Sequence, residues 1–202
     1  MLKIFPPNFV FSQKVENHQE IKEKYYSKVL DDNQKNGEYY RQRSSWYCEV
    51  SSSFFRENGN DNFLLFDDFF MTSVVWNNFK PFFKEMRTIV DDYPLPKKSK
   101  ISQIWYNSYK KGEYQDMHSH LGSVDNTDTF SGIYLMHLEE PNKTAFRQEG
   151  IIPGYNSFIY EYFTDNYEEG TVILFPSCLL HLVKPCDKNR VTVSFNIKCH
   201  YN

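Results

Sequence analysis

The chain is short of the features that would assign it at sight. Its four cysteines, Cys48, Cys178, Cys186 and Cys199, form no Cys-x-x-Cys pair. That spacing excludes a structural zinc site and leaves free thiols as the expectation. No stretch approaches about 18 uninterrupted apolar residues, and the first seven residues, Met1 to Pro7, lack a basic start followed by a long apolar run. A soluble, cytoplasmic protein is expected. Basic excess is lacking too: 23 Lys and Arg stand against 26 Asp and Glu, a formal net charge of −3, without the cationic footprint of a nucleic-acid binder. There is no internal repeat and no low-complexity segment.

What the chain does have is rings. Aromatic residues make up 18% of it, mostly Phe and Tyr, so a ring-rich core on sheets is expected despite modest aliphatic content. Its 202 residues suit one domain. Within that domain, residues 1–100 read as N-terminal strands and supporting helices, and 101–202 as a strand-rich core. Alternation around a Pro-Pro break suggests an opening strand within residues 2–15. From Asn17, with Glu20 three residues on, Ile21, Tyr25, Val29 and Leu30 recur at helical spacing, which predicts a helix to about Leu30. Residues 31–45 are polar, carry Asn36-Gly37, and are expected to form a surface loop. A short strand over 45–50 and a loop over 58–62 follow. Phe66, Phe70, Val74, Phe82, Phe83 and Met86 then predict a long amphipathic helix over 63–90, kinked or divided at Pro81.

From Ile101 the character changes. Short runs rich in β-branched and aromatic residues stand at 101–109, 130–138, 143–148, 157–163, 171–175, 179–184 and 190–199, separated by Gly, Pro, Asn and Asp. Seven such strands suggest a sandwich or jelly-roll of two sheets, with the helices covering one outer face.

Chemistry concentrates in this half. In an extended backbone Asp116, His118 and His120 project to one side, a row of metal-ligand types that a distant His181 could close. A His-x-His pair alone is weak, since a histidine is more often a surface or core residue. Its place between two strands, where loops form sites, strengthens it. By the same alternation Arg190, Thr192 and Ser194 face one way while Val191, Val193 and Phe195 face the other. An inward Arg beside a metal suits a ligand carboxylate.

Taken together, Gly112-x-Tyr114-x-x-x-His118-x-His120, then Ser131-Gly132-Ile133-Tyr134-Leu135, then Glu169-Gly170-Thr171-Val172-Ile173-Leu174-Phe175-Pro176-Ser177, then His181 and Arg190 through Asn196 resemble the 2-oxoglutarate and Fe(II)-dependent oxygenases of bacteria and phages. The resemblance covers about residues 101–198. It implies a mainly β protein with N-terminal helices (α+β), a cupin-like double-stranded β-helix, or jelly-roll, flanked by helices. It also implies Fe(II), 2-oxoglutarate and O₂ as cofactor and co-substrates, decarboxylation of 2-oxoglutarate to succinate, and hydroxylation of a substrate.

The family's usual ligands are His-x-Asp and a distal His, and here His120 occupies the Asp position. Either His118, His120 and His181 hold the iron and act catalytically through it, or Asp116 completes the site. Arg190 would take the distal carboxylate of 2-oxoglutarate, assisted by Thr192 or Ser194, with the Tyr134 phenol and Asn107 as further contacts. The loops at 31–45, 53–62 and 121–129 are the expected walls of the substrate site. Two other readings stay open: a cupin-like metal dioxygenase without 2-oxoglutarate, and a non-catalytic jelly-roll binding module. The substrate, small molecule or peptidyl, is not written in the residues, and a homo-oligomer is open.

Overall fold

The computed structural model describes residues 9–44, 48–59, 61–120, 128–151 and 157–201. Strand β1 (Phe11–Lys14) precedes helix α1 (His18–Ser44), which is far longer than its apolar pattern predicts. Residues 31–44 are helical, which overturns the expected surface loop. The reason lies in the buried face of that second half, which is held by polar bonds. The Tyr106 hydroxyl donates to Asp32 Oδ2 at 2.7 Å, and Arg56 Nη2 donates to the same oxygen at 2.7 Å. Gly37 is part of this contact, because a Cβ there would sit 2.7 Å from Asn33 Oδ1 and 3.1 Å from Ser51 Oγ. The Asn36-Gly37 pair therefore marks a close approach instead of a turn.

Short strands β2 (Cys48–Glu49) and β3 (Ser51–Ser52) lead to helices α2 (Asp61–Leu65) and α3 (Asp68–Phe70), a π turn (Met71–Trp76) and α4 (Asn77–Ile89). Asp67 starts this run by accepting from the N–H groups of Phe69 and Phe70 at 3.1 and 3.3 Å. The expected long helix is thus broken at 66–67, while α4 continues through Pro81. Its departure from α geometry lies upstream, in the π turn, where Asn78 Nδ2 donates to the Ser73 and Val74 carbonyls at 3.1 and 2.9 Å.

The rest is strand: β4 (Lys98–Tyr109), β5 (Tyr114–His118), β6 (Phe130–Leu138), β7 (Thr144–Ile151), β8 (Ser157–Phe163), β9 (Thr171–Pro176), β10 (Leu180–Val183) and β11 (Arg190–His200). They form two antiparallel sheets, a six-stranded one in the order β1-β9-β6-β11-β4-β3 and a five-stranded one in the order β2-β5-β10-β7-β8.

Side-chain alternation gives the large sheet two apolar faces. Phe130, Tyr134, Val172, Leu174, Val193 and Phe195 meet the helices through Tyr25, Phe70, Phe79 and Phe82, as the expected helical cover requires. Ile133, Leu135, Ile173 and Phe175 face the small sheet and meet Phe146 and Leu179. The site lies in this second layer, between the sheets. Gly132 lets the first layer close, since a Cβ there would lie 2.2 Å from the ring of Phe195.

Candidate active site

Strands β5 and β10 are neighbours in the small sheet, and their register sets His118 directly opposite His181. His120, two residues beyond β5, is held by its backbone N–H, which donates to the Ser177 carbonyl at 2.9 Å. The three rings converge, with centroids 4.3 Å (His118 to His181), 4.9 Å (His120 to His181) and 5.6 Å (His118 to His120) apart. One nitrogen from each lies within 4.8 Å of the others, so they could offer three donors to one ion.

The opposite nitrogen of each ring is tied. His118 Nδ1 lies 2.7 Å from the Asp116 carbonyl, and His181 Nδ1 lies 3.1 Å from the Leu179 carbonyl. A carbonyl only accepts, so both Nδ1 atoms donate, and Nε2 is left as the ligand atom. His120 Nδ1 lies 2.7 Å from Asn196 Oδ1 and 2.8 Å from Ser131 Oγ. Asn196 is oriented in turn, because its Nδ2 donates to Gln103 Oε1 at 2.9 Å and its Oδ1 must accept. Outer partners of this kind orient metal-binding imidazoles in general.

Electrostatics agrees with the geometry. Burial pushes His118 below the ordinary histidine range. Burial and the neighbouring His118 bring His120 down to about 3, and burial with both neighbours holds His181 well below its usual value. Neutral imidazole is the form that binds metal.

Arg190 opens β11 on the facing sheet and is 1% exposed. Its guanidinium carbon lies 4.9 Å from the Tyr109 ring centre, and Nη2 donates to Thr144 Oγ1 at 3.3 Å. Nε and Nη1 are buried without a protein partner among the described residues. A buried guanidinium with donors unmet is costly, and a carboxylate would satisfy it. Arg190, Thr192, Ser194 and Asn107 line the same cavity as the three histidines. Asn107 Nδ2 donates to Ser194 Oγ at 3.2 Å, while its Oδ1 has no partner among the described residues. The donor set therefore fits a divalent ion beside an anionic co-substrate.

Two expected residues are not brought there. Tyr134 faces the helices, with its hydroxyl 2.6 Å from His18 Nδ1, so it cannot serve the cavity. Ile133, one position earlier, lines the cavity instead, because alternate residues of β6 face opposite layers. Asp116 has an exposed side chain and contributes its backbone carbonyl, not its carboxylate. Asp128 is turned to Ser102, whose Oγ donates to it at 2.5 Å, and Asp125 lies outside the described residues.

Of the expected walls, 31–44 is helix, 121–127 lies outside the described residues, and the 53–62 stretch brings Phe54 against Trp105, ring centres 5.2 Å apart. Trp105 itself lines the cavity and stands 5.4 Å from His120. The supports Thr144, Tyr109, Ser131 and Asn196 escaped sequence reasoning. For Tyr109 there was a signal, since it shares the Trp105 and Asn107 face of β4.

A family model described as "Putative 2OG-Fe(II) oxygenase" matches residues 103–196, the stretch that carries His118, His120, His181 and Arg190. No curated protein sequence matches the chain. Among solved structures it is similar to a Pseudomonas putida prolyl-4-hydroxylase, with 8% identity, a TM-score of 0.50, and 95% of this chain and 92% of that one covered. It is also similar to a Trichoplax adhaerens prolyl hydroxylase solved with a hypoxia inducible factor peptide fragment, with 8% identity, a TM-score of 0.52, and 94% and 83% covered. At such identity these neighbours speak for a fold of the jelly-roll oxygenase type and for nothing finer. Residues 103–196, a little under half of the chain, thus match the 2OG-Fe(II) oxygenase family, and with the three converging histidines they support Fe(II) and 2-oxoglutarate as cofactor and co-substrate.

Proposed function

We propose that this protein hydroxylates a small-molecule or peptidyl substrate, using Fe(II), O₂ and 2-oxoglutarate and releasing succinate and carbon dioxide. His118, His120 and His181 hold the iron through Nε2, with their Nδ1–H groups tied to the Asp116 carbonyl, the Asn196 amide and the Leu179 carbonyl. Bound iron supplies the oxygen chemistry. The chain's own work is to hold and orient. Arg190 takes the distal carboxylate of 2-oxoglutarate on its free Nε and Nη1, and Thr144 and Tyr109 keep the guanidinium in place. Thr192, Ser194 and Asn107 complete the co-substrate wall, and Trp105 and Ile133 restrict water around it.

The observation that carries this reading is the pairing of three converging imidazoles with a buried arginine, in the same cavity, whose Nε and Nη1 have no partner among the described residues. Anaerobic titration with Fe(II) and 2-oxoglutarate tests it. A weak visible charge-transfer band is expected with the wild type, and Arg190→Ala should weaken 2-oxoglutarate binding by about a hundredfold, the loss of a buried charge-assisted pair. Unchanged 2-oxoglutarate binding in Arg190→Ala would favour a metal dioxygenase without this co-substrate. Absence of both metal binding and the band would favour a binding module.

A further inference from the structure

Away from the histidines, a groove of about 640 Å³ opens between α4 and the segment that leads into β4. Phe79 and Phe83 of α4, with Leu95 and Pro96 opposite, give it apolar walls. Leu95 is 51% exposed, and of the seven large apolar side chains exposed among the described residues three, Ile89, Val90 and Leu95, stand in this one stretch.

Lys80, Lys84 and Arg87 line the same groove. Their spacing puts all three on one face of α4. Among the described residues no carboxylate pairs with any of them. Residues 77–100 carry six basic and three acidic side chains, in a chain of formal net charge −3. Positive charge is thus gathered around an apolar trough on an otherwise acidic molecule.

An occupant must meet both features at once. A phosphate backbone would pair with the cations and leave the trough unfilled. Bases find no stacking platform, because Phe79 and Phe83 are 6% and 7% exposed and enclosed by Phe82 and Phe130. A bilayer offers no side chains to enter a groove. A peptide supplies carboxylates and apolar side chains together.

We propose that this groove docks a segment of a partner protein that carries Asp or Glu beside Leu, Ile or Phe. The apolar side chains enter between Phe83 and Leu95, and the carboxylates meet Lys80, Lys84 and Arg87. The docked segment lies apart from the chemistry: Ser99 at the groove and Trp105 at the histidine cavity are both on β4, about 20 Å apart at 3.3 Å per residue.

The test selects from a displayed pool of random peptides on the full chain, with the double variant Lys80→Glu, Lys84→Glu as counter-target, and measures the enriched peptides by fluorescence anisotropy. Enrichment of acidic peptides bearing large apolar residues is expected on the wild type. Their affinity should fall about tenfold or more in the double variant and weaken with added salt. Leu95→Ser should weaken it about fivefold, which charge attraction alone would not produce. The three replaced side chains are exposed, so both variants should keep the wild-type melting temperature.

No enriched peptide, enrichment without acidic residues, or equal affinity in the variants overturns the proposal. Oligothymidylate or phosphatidylserine vesicles that bind more tightly than any enriched peptide, and lose binding in the double variant, would overturn it in favour of a phosphate-binding face. Dimerisation abolished by Leu95→Ser would assign the groove to a second copy of this chain. Residues 1–8 lie outside the described residues, and Phe9 stacks on Phe82 with ring centres 5.1 Å apart, so Phe5→Asp is a further arm. Peptide binding that appears only in Phe5→Asp would give the groove to the chain's own first residues, and the proposal falls.

Discussion

One position separates Ile133 from Tyr134, and that step decides which of them meets the chemistry. Ser131, Ile133 and Leu135 look between the sheets, whereas Phe130, Tyr134 and Met136 look toward the helices. The phenol of Tyr134 was attractive by its chemistry and excluded by its parity. Register with β11 carries the parity information, because Ser194, which lines the cavity, pairs with Ile133. Tyr134→Phe is accordingly expected to leave 2-oxoglutarate affinity within about twofold and to cost about 1 kcal/mol of stability through the lost bond to His18, as isothermal titration and urea unfolding would measure. The histidines and Arg190 were readable in the sequence as residue types at telling spacings. Their supports were not, since Asn196 and Thr144 become meaningful only when strands distant in sequence bring them beside His120 and Arg190.

Strands from residue 98 onward, β5 excepted, were legible as elements because each is a short run rich in β-branched and aromatic residues closed by turn residues, and Phe130–Leu138 and Ser157–Phe163 fall where those runs predict, whereas Tyr114–His118 has no β-branched residue and was not among them. Helix α1 was only half legible. Hydrophobic periodicity finds a helix whose buried face is apolar, and beyond Leu30 the partners are Asp32 with Arg56 and Tyr106, together with the bare backbone at Gly37. The same kind of close approach governs β6 against β11. Gly132→Ala would drive a methyl into the Phe195 ring, which is fully buried and enclosed by other rings of the core. A destabilisation of about 3 kcal/mol is expected, read as a lower urea midpoint, with altered metal content following because Ser131 adjoins His120.

Across the whole molecule, Glu169 ties the helical layer to the large sheet. It accepts from Lys22 Nζ at 2.5 Å and from the Leu138 N–H at 2.8 Å, and it lies 3.1 Å from nitrogens of both His18 and His137. Burial alone would raise its pKa, but hydrogen bonds from Lys22, Leu138 and His18 outweigh burial and hold it at about 2. A depressed carboxylate stabilises the fold above its unfolded value, about 4.5, and that contribution is lost as pH falls toward 2. Melting temperature should therefore drop between about pH 5 and pH 3, and Glu169→Gln should flatten that slope, with about 2 kcal/mol at stake at neutral pH.

The placement of the three histidines carries a mechanical consequence. His118 and His181 ride on the small sheet, whereas His120 is bonded through Asn196 and Ser131 to β11 and β6 of the large one. An ion shared by all three would act as a rivet through both layers, and 2-oxoglutarate, reaching from that ion to Arg190, would be a second. Stripping the metal with a chelator should then lower the melting temperature and speed amide exchange in β5 and β10 and in β11 together, so that the two sheets loosen as one body.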